Sequence, residues 1–324
     1  AGMPIGLTRP RLTPRVRQLL MRILPVVFGA SLYQLNLVVD KIIATLVAVG
    51  AVSWLYFADR VNQLPLGVIG VGVGVALLPM LTRAIQSDSE VEALATQNRA
   101  IEISLVLTLP AAVGLLILAN PIAAVLYERG SFTVSDREAV GAALAAFAAG
   151  LPAYVLIKAL VPVFFGRQDT ATPVKIAACA MAMNVVLNLI LMGPLGHVGI
   201  ALATALSAWL NAVLLWQVLM RRGHLVADHR LKTRLPRIVL AAAGMGLAVW
   251  VAGNVLSSMY GELFGNHGVA AAAEFPRALA LVALISVGVA IYGGLLMISG
   301  GASLDDLKSL RRQPQPNPRT DGLV

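Results

Sequence analysis

Asp40, Lys41, Asp59, Arg60, Glu102 and Lys158 lie inside or beside long apolar runs of this 324-residue chain. A charge at membrane depth is costly unless it faces a bundle interior or a watery cavity, so such groups are functional candidates by default. Each also has a plainer reading. Asp40 and Lys41 can form a local ion pair, although adjacent helical residues point about 100° apart and cannot both face one partner. Asp59 and Arg60 follow Trp54, Tyr56 and Phe57, and can be an interfacial pair beside an aromatic belt. Glu102 can sit at a helix end beside Arg99, and Lys158, with no acidic neighbour in sequence, is left with snorkelling or a cavity role.

A second set is polar and uncharged. Asn184 and Asn188 are four apart and share one helix face, with Thr204 one turn inside the next segment. Carboxylate, carboxamide and hydroxyl oxygens suit a hard cation rather than zinc or copper. Interhelical hydrogen bonding, worth about 0.6–2 kcal/mol per contact, is the bland alternative. His197, His224, His229 and His267 have no metal-ligand spacing, and no nucleophile elbow, P-loop or dinucleotide fingerprint is present. Cys179, alone in its apolar run, reads as a buried inert thiol and excludes an intrachain disulfide framework.

The elements that position these groups follow from composition. Hydrophobic residues make up 58% of the chain and charged ones 13%, with a mean hydropathy of +0.81. That is too little charge to cover a water-facing surface, and the opposite of a disordered composition. Eight stretches approach the ~20 apolar residues of a spanning helix: Ile23–Val47, Gln63–Leu81, Ile101–Leu118, Val140–Phe164, Pro173–Leu191, Gly199–Leu219, Ile238–Leu256 and Ala278–Ile298. None alternates with period two, which argues against a β-barrel. The expected fold is all-α, a polytopic membrane protein with eight transmembrane helices. Pro25, Pro65, Pro79, Pro110, Pro152 and Pro162 are expected to bend or interrupt them. Gly67, Gly70, Gly72 and Gly74 read as packing positions.

The net charge of +9 is an orientation signal. Nineteen Lys and Arg residues fall in the leading segment, the even-numbered connections and the tail, against only Arg129, Arg137 and Arg277 in the odd-numbered ones. Positive charge collects on the cytoplasmic side, so both termini are expected there, and the basic excess is not a nucleic-acid patch. It also favours contact with anionic membrane lipids. The expected organisation is a basic cytoplasmic lead-in (1–21), a six-helix lobe (22–222), a basic loop (223–237), two further spanning helices (238–300) and a disordered tail (301–324). The chain opens on Ala1 and a basic, Pro-containing segment, and reads as starting partway through something longer.

The run Ser53-Trp54-Leu55-Tyr56-Phe57-Ala58-Asp59-Arg60, followed by Leu64-Pro65-Leu66-Gly67-Val68, resembles the MurJ/MviN family of bacterial lipid II flippases. The likeness continues through Leu77-Leu78-Pro79, through Gly166-Arg167-Gln168-Asp169-Thr170-Ala171-Thr172-Pro173-Val174-Lys175, and through Gly193-Pro194-Leu195-Gly196-His197-Val198-Gly199. It covers about residues 15–300. Family members have two six-helix lobes and two additional helices. The resemblance implies that this chain is the second lobe plus the extra pair, without the N-terminal lobe.

The resemblance also implies roles. Arg60 would line a cationic cavity that receives the diphosphate of an undecaprenyl-diphosphate-linked peptidoglycan precursor, with Asp59, Gln63 and Lys158 as neighbours in the headgroup site. Some members carry Glu where this chain has Gln63, which lacks a proton-carrying carboxylate. A sodium site would draw on Asp40, Asn184, Asn188, Thr204 and the backbone oxygen of Ile200. The last two helices would border a groove for the lipid tail. The implied activity is flipping by alternating access in the bacterial inner membrane, with no enzymatic chemistry and no cofactor beyond that sodium ion. The alternatives are a flippase or antiporter of the same MOP superfamily with other cargo (an oligosaccharide-lipid, or a drug exchanged for a cation) and a non-transporting membrane fragment.

Overall fold

A computed structural model describes residues 34–86, 89–259 and 274–301, excepting the side chains of 71–78, 81, 82, 86, 257–259 and 274. The leading arginines, Pro25, His267 and the tail lie outside the described residues. Every regular element among the described residues is helical. Helix α1 covers 34–47, followed by α2 (Ala51–Gln86), α3 (Glu90–Ile117), α4 (Ala119–Tyr127), α5 (Val134–Gly166), α6 (Ala171–Arg221), α7 (His229–Met259) and α8 (Glu274–Ile298). The spans Glu90–Ile117, Val134–Gly166, Ala171–Arg221, His229–Leu256 and Phe275–Ile298 are each long and apolar enough to cross a membrane.

Several helices run past the apolar runs that announce them. Helix α2 starts at Ala51, twelve residues before Gln63, so the aromatic belt and the Asp59–Arg60 pair are helical rather than a lead-in. Pro65, Pro79, Pro110, Pro152 and Pro162 sit within continuous helices. Two glycines make the sharp turns. Gly50 (φ 96°) ends the 48–50 turn, and a Cβ there would meet the Trp54 ring at 3.1 Å. Gly196 (φ 57°, ψ −134°) breaks α6 into arms 171–195 and 197–221. Both angles lie where L side chains are strained. The Asn184–Thr204 hydrogen bond across this turn shows the arms running antiparallel, as the Gly193–Gly196 sequence leads one to expect.

Helix α5 is the axis of the bundle, touching α2, α3, α4 and α6. Small residues line its contacts: Ala143, Ala148, Ala153 and Ala159 are fully buried. A Cβ on Gly150 would come within 2.9 Å of Ala205. Lipid tails are as apolar as leucine, so helices in a membrane associate through such close packing rather than through water exclusion. The N-terminus of α5 is capped by Thr133 and Asp136 in a reciprocal box, and Asp136 also accepts a 2.8 Å bond from the Trp54 indole. That bond ties α2 to α5. Ser104 and Thr108 are buried in α3 but donate to the carbonyls of Ala100 and Ser104, so neither hydroxyl is stranded.

Helices α7 and α8 pack on α3 and α4 and on each other. Glu102, 4% exposed, receives Arg99 (3.1 Å), Arg230 (3.1 Å) and Arg234 (2.6 Å), clamping the start of α7 to α3. At the other end Glu128 holds Arg137 (3.1 Å) and Arg277 (3.7 Å). Both arginines were read as loop charges, yet they are buried, because Glu128 at the α4 C-terminus gives them a counter-charge. Tyr292 on α8 donates to the Val106 carbonyl at 2.7 Å. Cys179 corrects the sequence reading in the other direction. It is exposed on the surface of α6, since an all-round apolar helix cannot reveal which face is covered.

Candidate functional site

One face each of α1, α2, α5 and α6 lines a half-open cavity of about 570 Å³. Helix α1 contributes Asn36, Asp40 and Lys41, and α2 contributes Asp59, Asn62 and Gln63. Helix α5 adds Tyr154 and Lys158, and α6 adds Ile200, Thr204, Ser207 and Asn211. The spacings are those of single helix faces: four from Asn36 to Asp40, four from Tyr154 to Lys158, and four then seven along Ile200, Thr204 and Asn211. Lys41 borders the cavity together with Asp40 despite the 100° between them, because the space is wide enough to be reached from two directions.

Asp40 is the hub of the polar network. It accepts from Asn188 Nδ2 at 2.6 Å, Asn36 Nδ2 at 3.1 Å and Thr204 Oγ1 at 3.4 Å. Thr204 also donates to the Ile200 carbonyl at 2.9 Å, and Asn188 to Asn184 Oδ1 at 3.0 Å. The expected cation ligands are therefore brought to one place, with Asn36 added. Asn184 fits its neighbours better with its amide turned, its nitrogen 3.0 Å from Asp40 Oδ1 and its oxygen 3.3 Å from Thr204 Oγ1. Asn188 Oδ1 is buried and accepts no bond. A buried oxygen without a donor is costly, and turning the amide would aim it at the carboxylate side, where a cation needs it. The oxygen set fits a hard monovalent ion.

Asp59 and Arg60 part company. Asp59 points into the cavity and accepts from Gln63. Arg60 is exposed outside it, with its guanidinium 4.9 Å over the Tyr56 ring. It belongs to a second stripe of α2, Tyr56, Arg60, Leu64 and Val68, all exposed, of which Tyr56 also lines the cavity. Lys158 lines the cavity, and its chain lies along α2 at Gly70. The expected headgroup set is thus divided: Asp59, the exposed Gln63 and Lys158 line the cavity, and Arg60 lies beside it on the exposed face of α2.

The sequence reading missed Asn62 and Asn211. Both line the cavity with buried, unbonded carboxamide oxygens, and Asn62 is only 2% exposed. The available signal was spacing, three from Asp59 and seven from Thr204, on the same helix faces. Among the described residues no cluster of His, Cys, Asp and Glu could hold a metal by those side chains alone.

This architecture is that of a multi-pass helical membrane protein, with five spans among the described residues long and apolar enough to cross a bilayer. The family model described as "Lipid II flippase MurJ" matches residues 1–266, and the chain belongs to that family. It is 44% identical over 308 residues to a probable lipid II flippase MurJ of Rhizobium meliloti, covering 95% of this chain and 56% of that protein. The Vibrio cholerae counterpart is 36% identical, covering 91% and 54%. The chain thus spans about half the length of the curated relatives it matches. Among solved structures, a lipid II flippase MurJ in an inward closed conformation superposes with a TM-score of 0.69 at 22% identity, over 95% of this chain and 58% of that one. An outward-facing multidrug resistance MATE family transporter gives 0.57 at 17%, over 90% and 66%. At these identities the structural likeness speaks for the fold.

Proposed function

We propose that this chain forms the cargo-facing half of a flippase for a lipid-linked peptidoglycan precursor, lipid II, in the bacterial inner membrane. The observation that carries the reading is Arg60, held on the open face of α2 rather than inside the lobe. A guanidinium offers phosphate a two-pronged set of donors, and stacking on Tyr56 holds its plane ready. Placed opposite a second, N-terminal lobe, that face becomes one wall of a cavity. Rocking of the two lobes would open the cavity to each side of the membrane in turn, while the prenyl tail stays in lipid. The distribution of Lys and Arg supports cytoplasmic placement of both termini.

Asp40, Asn184, Asn188, Thr204 and the Ile200 carbonyl would hold a sodium ion within the lobe. When bound, the ion supplies positive charge against a carboxylate that has no basic partner within 4 Å among the described residues. Asp40 accepts whatever donors surround it, and the amides of Asn184 and Asn188 can turn to present either oxygen or nitrogen.

Complementation of flippase-depleted cells by a two-lobed protein carrying this half tests the reading. Arg60→Ala is expected to abolish growth, whereas Arg83→Ala, also exposed on α2, is expected to leave it intact. Equal tolerance of the two substitutions would remove Arg60 from the cargo site.

A further inference from the structure

Pro110 lies in the interior of α3, yet the helix runs unbroken from Glu90 to Ile117. A proline has no N–H, so the carbonyl one turn earlier, that of Val106, loses its helical donor. In oil an unmet carbonyl carries a cost that water would otherwise offset. Here the missing donor comes from another helix. The Tyr292 hydroxyl of α8 donates to the Val106 oxygen at 2.7 Å, and Tyr292 is itself buried. Two neighbouring turns are loosened as well, since the Ser104 and Thr108 hydroxyls share the carbonyls of Ala100 and Ser104 with the helix backbone. Helix α7 holds α3 on either side of this stretch. On the N-terminal side Arg230 and Arg234 reach Glu102. On the C-terminal side Gly246 lies so close that a Cβ would fall 2.6 Å from Val113 and 3.0 Å from Ile117.

We propose that the α7–α8 pair is a splint across a gap in the α3 backbone, with Tyr292 as its pin. The pin supplies the bond that Pro110 removes, and α7 fixes the two halves of α3 relative to each other. Helix α3 touches α2 and α5, which carry Asp59, Asn62 and Lys158 on the cavity wall. Among the described residues none from α3, α7 or α8 lines that cavity. The pair therefore acts on the cavity at one remove, by setting the line of a helix behind its wall. Without the pin α3 is free to bend at 106–110, because no backbone bond reaches back from residue 110 and the turns before it are already weakened. The Tyr292 hydroxyl is accordingly worth most where residue 110 is proline, and little where residue 110 brings its own N–H.

Hydrogen exchange of the full 324-residue chain in detergent, read over residues 104–117, tests the splint. Tyr292→Phe is expected to speed exchange there about tenfold, the equivalent of one net hydrogen bond left unmade. Pro110→Ala gives the Val106 carbonyl back a helical donor, and in that background Tyr292→Phe should change exchange by less than about twofold. A tyrosine that merely packs against α3 would not respond to the change at residue 110. Gly246→Ala, which pushes α7 off Val113 and Ile117, is expected to speed exchange at 104–111 as well as beside the substitution. Equal effects of Tyr292→Phe with proline or alanine at 110, or no effect with proline, overturn the pin. A response to Gly246→Ala confined to 112–117 overturns the splint and leaves the pin standing. If the Tyr292→Phe chain does not accumulate in the membrane, Pro110→Ala is expected to restore it, and failure to do so overturns the pin as well.

Discussion

Asp169 sits in the short link between α5 and α6, where it accepts from Arg222 Nη1 at 2.6 Å and from the Thr172 amide at 3.0 Å. Partial burial would raise its pKa, but the bonds from Thr172 and Arg222 and the nearby guanidinium outweigh burial and lower it to about 2. A carboxylate whose folded value is depressed contributes stability that is complete above the unfolded value of 3.8 and is lost as pH falls through about 2. The melting temperature is thus expected to decline between pH 4 and pH 2. Asp169→Asn should lower it at neutral pH and flatten that decline. A parallel decline in the variant would show that other groups carry the acid sensitivity. The residue scale is also where the sequence was most uneven. Asp40, Asn184, Asn188 and Thr204 were legible because a carboxylate and an i, i+4 amide pair stand out in apolar helices, and their family resemblance gave them a common purpose. Asn62 and Asn211 were not, because a lone amide in a membrane helix looks the same whether it bonds a neighbouring helix or waits unbonded in a cavity. Whether Arg60 or Asp59 turned inward was likewise undecidable, since the 100° between them fixes their divergence but not which one meets the bundle.

At the scale of elements, α7 depends on a carboxylate that is not its own. Glu102 on α3 takes up Arg230 and Arg234 in the first two turns of α7, where the helix dipole disfavours positive charge. Removing that carboxylate takes a shared counter-charge from three arginines whose side chains are 28%, 43% and 15% exposed, a loss that solvent screening moderates. Glu102→Ala is therefore expected to loosen α7 from α3, read as faster hydrogen exchange over residues 229–240 while α5 stays protected. Unchanged exchange there would mean that apolar packing alone seats the helix. The sequence offered Glu102 only as a neighbour of Arg99, because its other partners come from 128 and 132 residues further on. Helix existence was legible from hydropathy, but helix ends were not. An apolar run marks the part of a helix in lipid, and α2 and α3 continue beyond it on hydrogen bonds that composition does not report.

On the scale of the whole molecule, buried residues form two clusters. One joins α1, α2, α4, the start of α5, Ile200 and Ala201 of α6, α7 and α8; the other joins Ala84 of α2, α3, the end of α5, both arms of α6 and the start of α7. Residues of both line the cavity, Ala44, Leu55, Phe147 and Ile200 from the first and Ala208 from the second. The remaining surface shows long apolar stripes, including Leu64 and Val68 beside Arg60, as a body immersed in lipid or facing a second lobe must. Alternating access requires two bodies moving against each other. A polypeptide of residues 1–324 reconstituted alone in liposomes is expected not to translocate a fluorescent lipid II analogue. Sustained translocation above the empty-liposome rate would show that this chain suffices.

The turn at Gly196 has a consequence for how this chain enters its membrane. Straightened, the 51 residues of α6 would reach about 75 Å, more than twice the hydrocarbon thickness. Folded at Gly196, the two arms can leave the insertion machinery as one hairpin, with Asn184 already bonded to Thr204 on the opposite arm. The polar side chains of Asn184 and Thr204 then cross into oil bonded to each other, not on separate spans that must each find a partner after insertion. A residue with a side chain at position 196 would act first on membrane insertion, and only afterwards on the packing of the finished bundle.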